Sequence, residues 1–250
     1  MNILAFDTCF DACSVAVLTA DGRRFARFEA MQTGQAEALL PMIADVMDDA
    51  GLSPSQLNRI AATRGPGTFT GTRIGLSAAR AICLATGAEG LGFSSLQVIA
   101  TAAIAIHNSA PSPNGSLMLV ARPERRGTHD VQTFDAAGQA LTPPMAASPA
   151  QIAKCLEYIH ADRGADNGTL LIGSGANELA AALSTINPGM ALDQSGAAIE
   201  DQLAEPDARH LLSLASETLD AAHHPLTPLY LRPVDAKPSS KPSIARVQPA

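Results

Sequence analysis

The residues most able to do chemistry lie in "RGPGTFTGTRIGLSAARA", residues 64–81, where Gly65, Gly67, Gly71 and Gly75 crowd the start of a helical pattern. Glycine-rich turns at a helix start can hold an anion on backbone N–H groups. The tight phosphate motifs do not fit. G-x-x-x-x-G-K-[ST] needs a Lys, and Gly67 to Gly71 has neither that residue nor the spacing. G-x-G-x-x-G fails because Gly71 follows Gly65-Pro66-Gly67 too late. A weaker anion site at Gly67 and Thr68 remains open. The competing reading is structural. Gly71, Gly75, Ala79 and Cys83 recur every four residues and form one helical stripe with almost no side chain. Such a stripe lets another backbone come close, although small residues also fill ordinary buried helices.

A second candidate is Asp7-Thr8, which ends the apolar run Ile3–Phe6. A carboxylate at a strand end can hold hydrated magnesium, and Asp equally forms turns. This hairpin resembles the nucleotide-binding hairpin of the actin, Hsp70 and sugar-kinase class. Those turns usually contain Gly, whereas here the turn is Cys9-Phe10-Asp11, which argues against tight ATP binding.

Composition narrows the classes. The chain has 250 residues, 46% hydrophobic and 4% aromatic, so a core must come from Leu, Ile, Val and Ala. The net charge of −7 is unlike that of a protein gripping nucleic acid alone. Arg122, Arg125 and Arg126 form the one loose basic cluster, read as a solvated loop. Cys9, Cys13, Cys83 and Cys155 lack zinc spacing and read as reduced thiols. The start shows no signal-peptide pattern and no apolar run suits a bilayer, so the expected location is cytoplasmic, without membrane contact.

These residues must be positioned by an α/β chain. Strands are expected near Ile3–Phe6, Cys13–Leu18 and Arg23–Ala30. A helix follows over 35–50, with Leu39, Ile43, Val46, Met47 and Ala50 on one face, and Pro41 in its first turns. The strand Ile60–Thr63 feeds the glycine turn and a helix over about 70–86. Another helix runs from Ser95 to about His107, and "NSAPSPNG" marks a lobe boundary. Beyond it come paired strands at 116–121 and 130–134, a helix opened by Ser148-Pro149, the strand Thr169–Ile172, the turn "GSGANE" into a helix, and a last helix at 207–221. The end, "KPSSKPSIARVQPA", reads as disordered.

"ILAFDTCFDACSVAVL", "ATRGPGTFTGTRIGLSAARAICLATG", "SSLQVIA" and "PLYLRP" resemble the TsaB (YeaZ) family, over most of residues 1–105 and again at 226–233. The resemblance implies an actin-like, Hsp70-like (ASKHA) two-lobe fold. The expected division is 1–110, 111–235 and a tail at 236–250, with the last helix and "PLYLRP" able to pack back on the first lobe. It implies a subunit without chemistry of its own that pairs with TsaD to support threonylcarbamoyl transfer to the anticodon-adjacent adenosine of tRNAs that read A-starting codons. The ATPase TsaE joins them, tRNA is met only through the complex, and the chain alone could form a homodimer. The implied interface is Leu39, Ile43 and Met47 on the first helix, with Gly71, Arg73, Gly75 and Ala79 on the second. Asp7, Thr8, Gly67 and Thr68 are the weak nucleotide or anion candidates. The resemblance implies no cofactor or metal of its own, and leaves room for ATP and magnesium at the interface of the complex.

The histidines agree, since no two of the six have the His-x-x-x-His spacing of the TsaD metal motif. "RPERRGTHD" departs from the family pattern, with Pro123 and Thr128 at expected acids, and Gln35 stands where a His is common. A free-standing ATP-dependent phosphotransferase using Asp7 is the alternative; a protease finds no G-x-S-x-G or HExxH motif.

Overall fold

The computed structural model describes residues 1–107, 117–124, 127–163, 168–193, 203–220, 222 and 224–232. Arg125, Arg126, the 108–115 boundary loop and the 236–250 tail lie outside the described residues. Two five-stranded sheets carry the chain. The first contains β1 (Ile3–Asp7), β2 (Ala12–Leu18), β3 (Arg24–Ala30), β4 (Arg59–Thr63) and β5 (Glu89–Phe93), in the order β3-β2-β1-β4-β5. The second contains β6 (Leu117–Glu124), β7 (Thr128–Phe134), β8 (Met145–Ala147), β9 (Thr169–Ile172) and β10 (Leu192–Asp193), in the order β10-β9-β6-β7-β8. In each sheet the first three strands form an antiparallel meander, and the lead strand then pairs in parallel with the fourth. β8 and β10 are short and escape the sequence pattern.

Alternation along β1 decides what packs where. Leu4 and Phe6 face α1 (Gln35–Ala50) and α2 (Phe69–Thr86), sharing a core with Leu39, Val46, Met47, Leu76 and Ala79. Ile3 and Ala5 face the other way, onto α6 (Ala208–Glu217) through Leu211, Leu212 and Ala215. On the second sheet, α4 (Pro149–Arg163) and α5 (Ala176–Ile186) cover one face. The opposite face takes Leu96, Ile99 and Ala103 of α3 (Ser95–His107). Thus α3 packs mainly on the second sheet, and the late helix α6 returns to the first.

Local signals explain the helix ends. Gly51 closes α1 in the left-handed region at φ 67°, with its N–H on the Asp48 carbonyl. Pro41 lies inside α1 without ending it, on the exposed face, where water can take the carbonyl left without an amide partner. Thr68 caps α2, its hydroxyl accepting from the Gly71 N–H at 3.0 Å. Asp207 caps α6 by accepting from the Arg209 N–H at 2.8 Å. On α1 the buried set contains Met42, while Ile43 is only partly buried, a one-position rotation of the expected face.

Candidate docking face and interlobe junction

The glycine turn is packed against the chain's own first hairpin. The Thr68 N–H donates to the Cys9 carbonyl at 2.7 Å, and a Cβ on Gly67 would lie 2.6 Å from that same oxygen. The Pro66 carbonyl accepts from the Ser95 hydroxyl, and the Gly65 carbonyl from the Ser95 N–H at 3.0 Å. Gly67 and Thr68 are thus held against Cys9, Thr8 against Gly71, and Asp7 against Thr63 and Cys9.

Asp7 is fully buried, at the end of β1 beside Thr63 of β4. Its Oδ1 accepts from the Thr63 hydroxyl and from the Cys9 N–H at 3.3 Å. Its Oδ2 has no hydrogen-bond partner among the described residues. Burial pushes its pKa up to about 7, against the lowering effect of the Thr63 and Cys9 hydrogen bonds, and the nearby Glu205 carboxylate pushes the same way as burial. A carboxyl buried to this extent leaves little room for the water shell of a hydrated magnesium ion. Among the described residues no three His, Cys, Asp or Glu side chains gather as a metal site.

Arg122 of the second lobe closes this junction. Its guanidinium lies 3.6 Å above the Phe10 ring, pairs with Glu205 at 3.3 Å and donates to the Ala204 carbonyl. The residue expected on a solvated loop is thus a buried contact between lobes.

The small-residue stripe requires a correction. It faces inward. A Cβ on Gly71 would overlap the Thr8 carbonyl oxygen, and one on Gly75 would lie 2.8 Å from Thr8 Oγ1. That hydroxyl donates to the Gly71 carbonyl at 2.7 Å. Ala79 is buried among Leu4 and Phe6. The close neighbour that the stripe admits is the end of β1, because α2 runs back over the sheet directly after β4. Leu39 and Met47 are likewise core residues, Ile43 is half-buried and Arg73 is exposed.

What the two helices turn outward is different. Leu40 is 60% exposed, Phe69 54% and Leu84 89%. Pro41 and Ala44 on α1, and Ser77 and Ala81 on α2, are exposed near them. A groove of about 450 Å³ runs between the helix starts, lined by Gly34, Gln35, Glu37, Thr68, Thr70 and Ile74. α1 carries Glu37, Asp45, Asp48 and Asp49 without a basic residue, while α2 carries Arg73 and Arg80 without an acidic one. Heptad-like counting found the inward face; the outward apolar residues were legible only as members left over from it.

Two sheets of identical strand order, each led by a meander and closed by parallel strands, define an actin-like two-lobe protein. Residues 29–232 match the family described as TsaD, tRNA N6-adenosine threonylcarbamoyltransferase, and the chain belongs to that family. Its relatives of TsaB (YeaZ) type bear out the resemblance read from the motifs. It is 41% identical over 103 residues to the tRNA threonylcarbamoyladenosine biosynthesis protein TsaB of Escherichia coli (strain K12), which covers 41% of this chain and 44% of that protein. The chain thus spans less than half the length of the curated relatives it matches first. It is similar to YeaZ from Pseudomonas aeruginosa, with a TM-score of 0.66 at 26% identity over 92% of this chain and 99% of that one. A shorter stretch of 52 residues is 50% identical to the tRNA N6-adenosine threonylcarbamoyltransferase of Erythrobacter litoralis (strain HTCC2594), covering 21% of this chain and 15% of that protein. No helix among the described residues is long and apolar enough to cross a membrane.

Proposed function

We propose that the chain acts in tRNA threonylcarbamoyladenosine biosynthesis as a cytoplasmic, non-catalytic subunit that pairs with a TsaD-type threonylcarbamoyltransferase. The observation that carries this reading is the outer surface of α1 and α2. Exposed Leu40, Phe69 and Leu84 stand on two adjacent helices of opposite charge. A partner of the same fold, turned by a pseudo-twofold, brings its own helix pair against this one, so that four helices bury one another's apolar outer faces. The acidic α1 favours a basic helix opposite, which adds register and encounter rate more than affinity. A second copy of the chain meets the same geometry, so a homodimer competes when TsaD is absent.

The Asp7 end of the cleft supports the non-catalytic part of the reading. The carboxyl is fully buried, and the lobes are joined nearby by Arg122, which lies over Phe10 and pairs with Glu205. ATP and magnesium, and the ATPase TsaE, then belong to the assembled complex, and tRNA is met there. The test is threonylcarbamoyl transfer to tRNA in a reconstituted system with each subunit omitted in turn. Omitting this chain abolishes modification, while the chain alone transfers nothing and hydrolyses no ATP. Magnesium-dependent hydrolysis by the pure chain, lost in Asp7→Ala, contradicts the reading.

A further inference from the structure

β5 contains two glycines, Gly90 and Gly92, in a five-residue strand at the edge of the first sheet. Glycine inside a strand weakens it unless another backbone comes close, and here one does. The Gly92 N–H donates to the His224 carbonyl at 2.8 Å, and a Cβ on Gly92 would lie 2.5 Å from the Pro225 carbonyl oxygen. A Cβ on Gly90 would lie 2.6 Å from Leu226 Cδ1. Leu226 packs into the first-lobe core, and its carbonyl accepts from Arg80 Nε at 2.9 Å. Further along, the Leu229 N–H donates to the Arg64 carbonyl at 2.7 Å, and Gly65 leaves room for the Leu229 carbonyl, 2.8 Å from where its Cβ would stand. The Tyr230 ring then stacks on Phe69 at 5.7 Å, and its hydroxyl accepts from Arg73 Nε at 3.1 Å. Arg73 itself lies 3.6 Å above the Phe69 ring. At the far end Arg232 crosses to the second lobe and donates to Thr128 Oγ1 of β7. A cavity of about 130 Å³ sits beneath this crossing, lined by Pro66, Gly67, Glu124 and Asp130 together with Leu229 and Arg232.

We propose that residues 224–232 form a strap that closes the open edge of the first sheet, holds the Phe69–Arg73 pair at the start of α2, and fixes the second lobe against the first. The edge of β5 would otherwise offer unpaired backbone groups to any passing strand. Gly65, Gly90 and Gly92 are the receiving surface for the strap, and Arg80 and Arg73 are its clamps. Arg232 ties the strap to the second lobe, in addition to the Arg122–Phe10 contact at the junction. The proposal does not depend on what docks on α1 and α2.

The test uses the full chain and two variants. Leu226→Asp expels the anchor, and amide exchange of Gly92 and the rest of β5 then rises at least about tenfold, while β9 amides keep wild-type rates. Arg232→Ala leaves β5 protected but raises amide exchange of β7 around Thr128 at least about threefold, because the strap's tie to the second lobe is lost. Wild-type exchange at Gly92 in Leu226→Asp overturns the edge-closing role. Wild-type exchange around Thr128 in Arg232→Ala overturns the tie to the second lobe. Should Leu226→Asp fail to fold, Tyr230→Ala decides the first part: raised exchange at the start of α2 supports the strap, and an unchanged rate refutes it.

Discussion

The two lobes repeat one strand order and treat its key position in opposite ways. Counting from the paired starts of β1 and β6, Asp7 corresponds to Ala121, and Thr63 at the end of β4 to Gly173 just after β9. In both lobes the glycine turn after the fourth strand presses on the end of the lead strand. In the first, the Thr68 N–H reaches the Cys9 carbonyl; in the second, the Gly175 N–H reaches the Ala121 carbonyl at 3.0 Å. The first lobe keeps a buried carboxyl there and follows it with a long helix that leaves Phe69 and Leu84 exposed. The second keeps no charge at that position and follows with the shorter α5. The shared glycine contact therefore belongs to the fold, and the outward surface of α1 and α2 is where the proposed docking departs from that shared plan.

The comparison breaks most visibly at Gly71. Gly71→Leu drives a side chain into the Thr8 backbone, and urea unfolding should show a loss of about 3 kcal/mol or more. A folded, stable Gly71→Leu chain would mean that the stripe is free after all. Next comes Asp7, whose carboxyl is raised from 3.8 to about 7. The folded state holds that proton more tightly than the unfolded one between these values. Its contribution to stability is thus full below pH about 4 and declines as pH rises towards about 7. Asp7→Asn should remove that part of the slope, on the order of 2–4 kcal/mol, when unfolding of variant and wild type is compared at pH 5 and pH 8. An unchanged difference between the two pH values refutes the buried-carboxyl account. In the second lobe Gly173→Ala places a side chain at φ 94° and 2.5 Å from the Ala121 carbonyl, with an expected cost of about 1–3 kcal/mol by the same measurement. The smallest effect is expected at Leu84, where Leu84→Ser should change stability by less than about 0.5 kcal/mol.

Much of the fold was legible because its signals are local. α1 follows a periodic apolar pattern to Gly51, and Thr169–Ile172 is a short apolar run bounded by turns. The spacing of Gly71, Gly75 and Ala79 announced a close approach but could not say from which side, since inward and outward stripes share one period. That direction is set by β1, more than sixty residues earlier in the chain. Ile43 and Met42 exchanged places for a similar reason: both fit the helical repeat, and only the sheet beneath selects between them. Arg122 over Phe10, and the strap on β5, depend on contacts far apart in sequence. The return of "PLYLRP" to the first lobe was an expectation of the family resemblance, whereas the seat of Pro225 and Leu226 on Gly90 and Gly92 of β5 had no signal in the pattern.

The central claim is that docking uses the outward residues of α1 and α2, not the glycine stripe. Isothermal titration of the purified chain with the proposed TsaD-type partner tests it most directly, using a Leu40→Asp/Leu84→Asp variant whose circular dichroism and melting match wild type. Binding weakened at least about a hundredfold is the predicted result, as two buried apolar contacts are replaced by desolvated charges. Wild-type affinity in that folded variant would contradict the account.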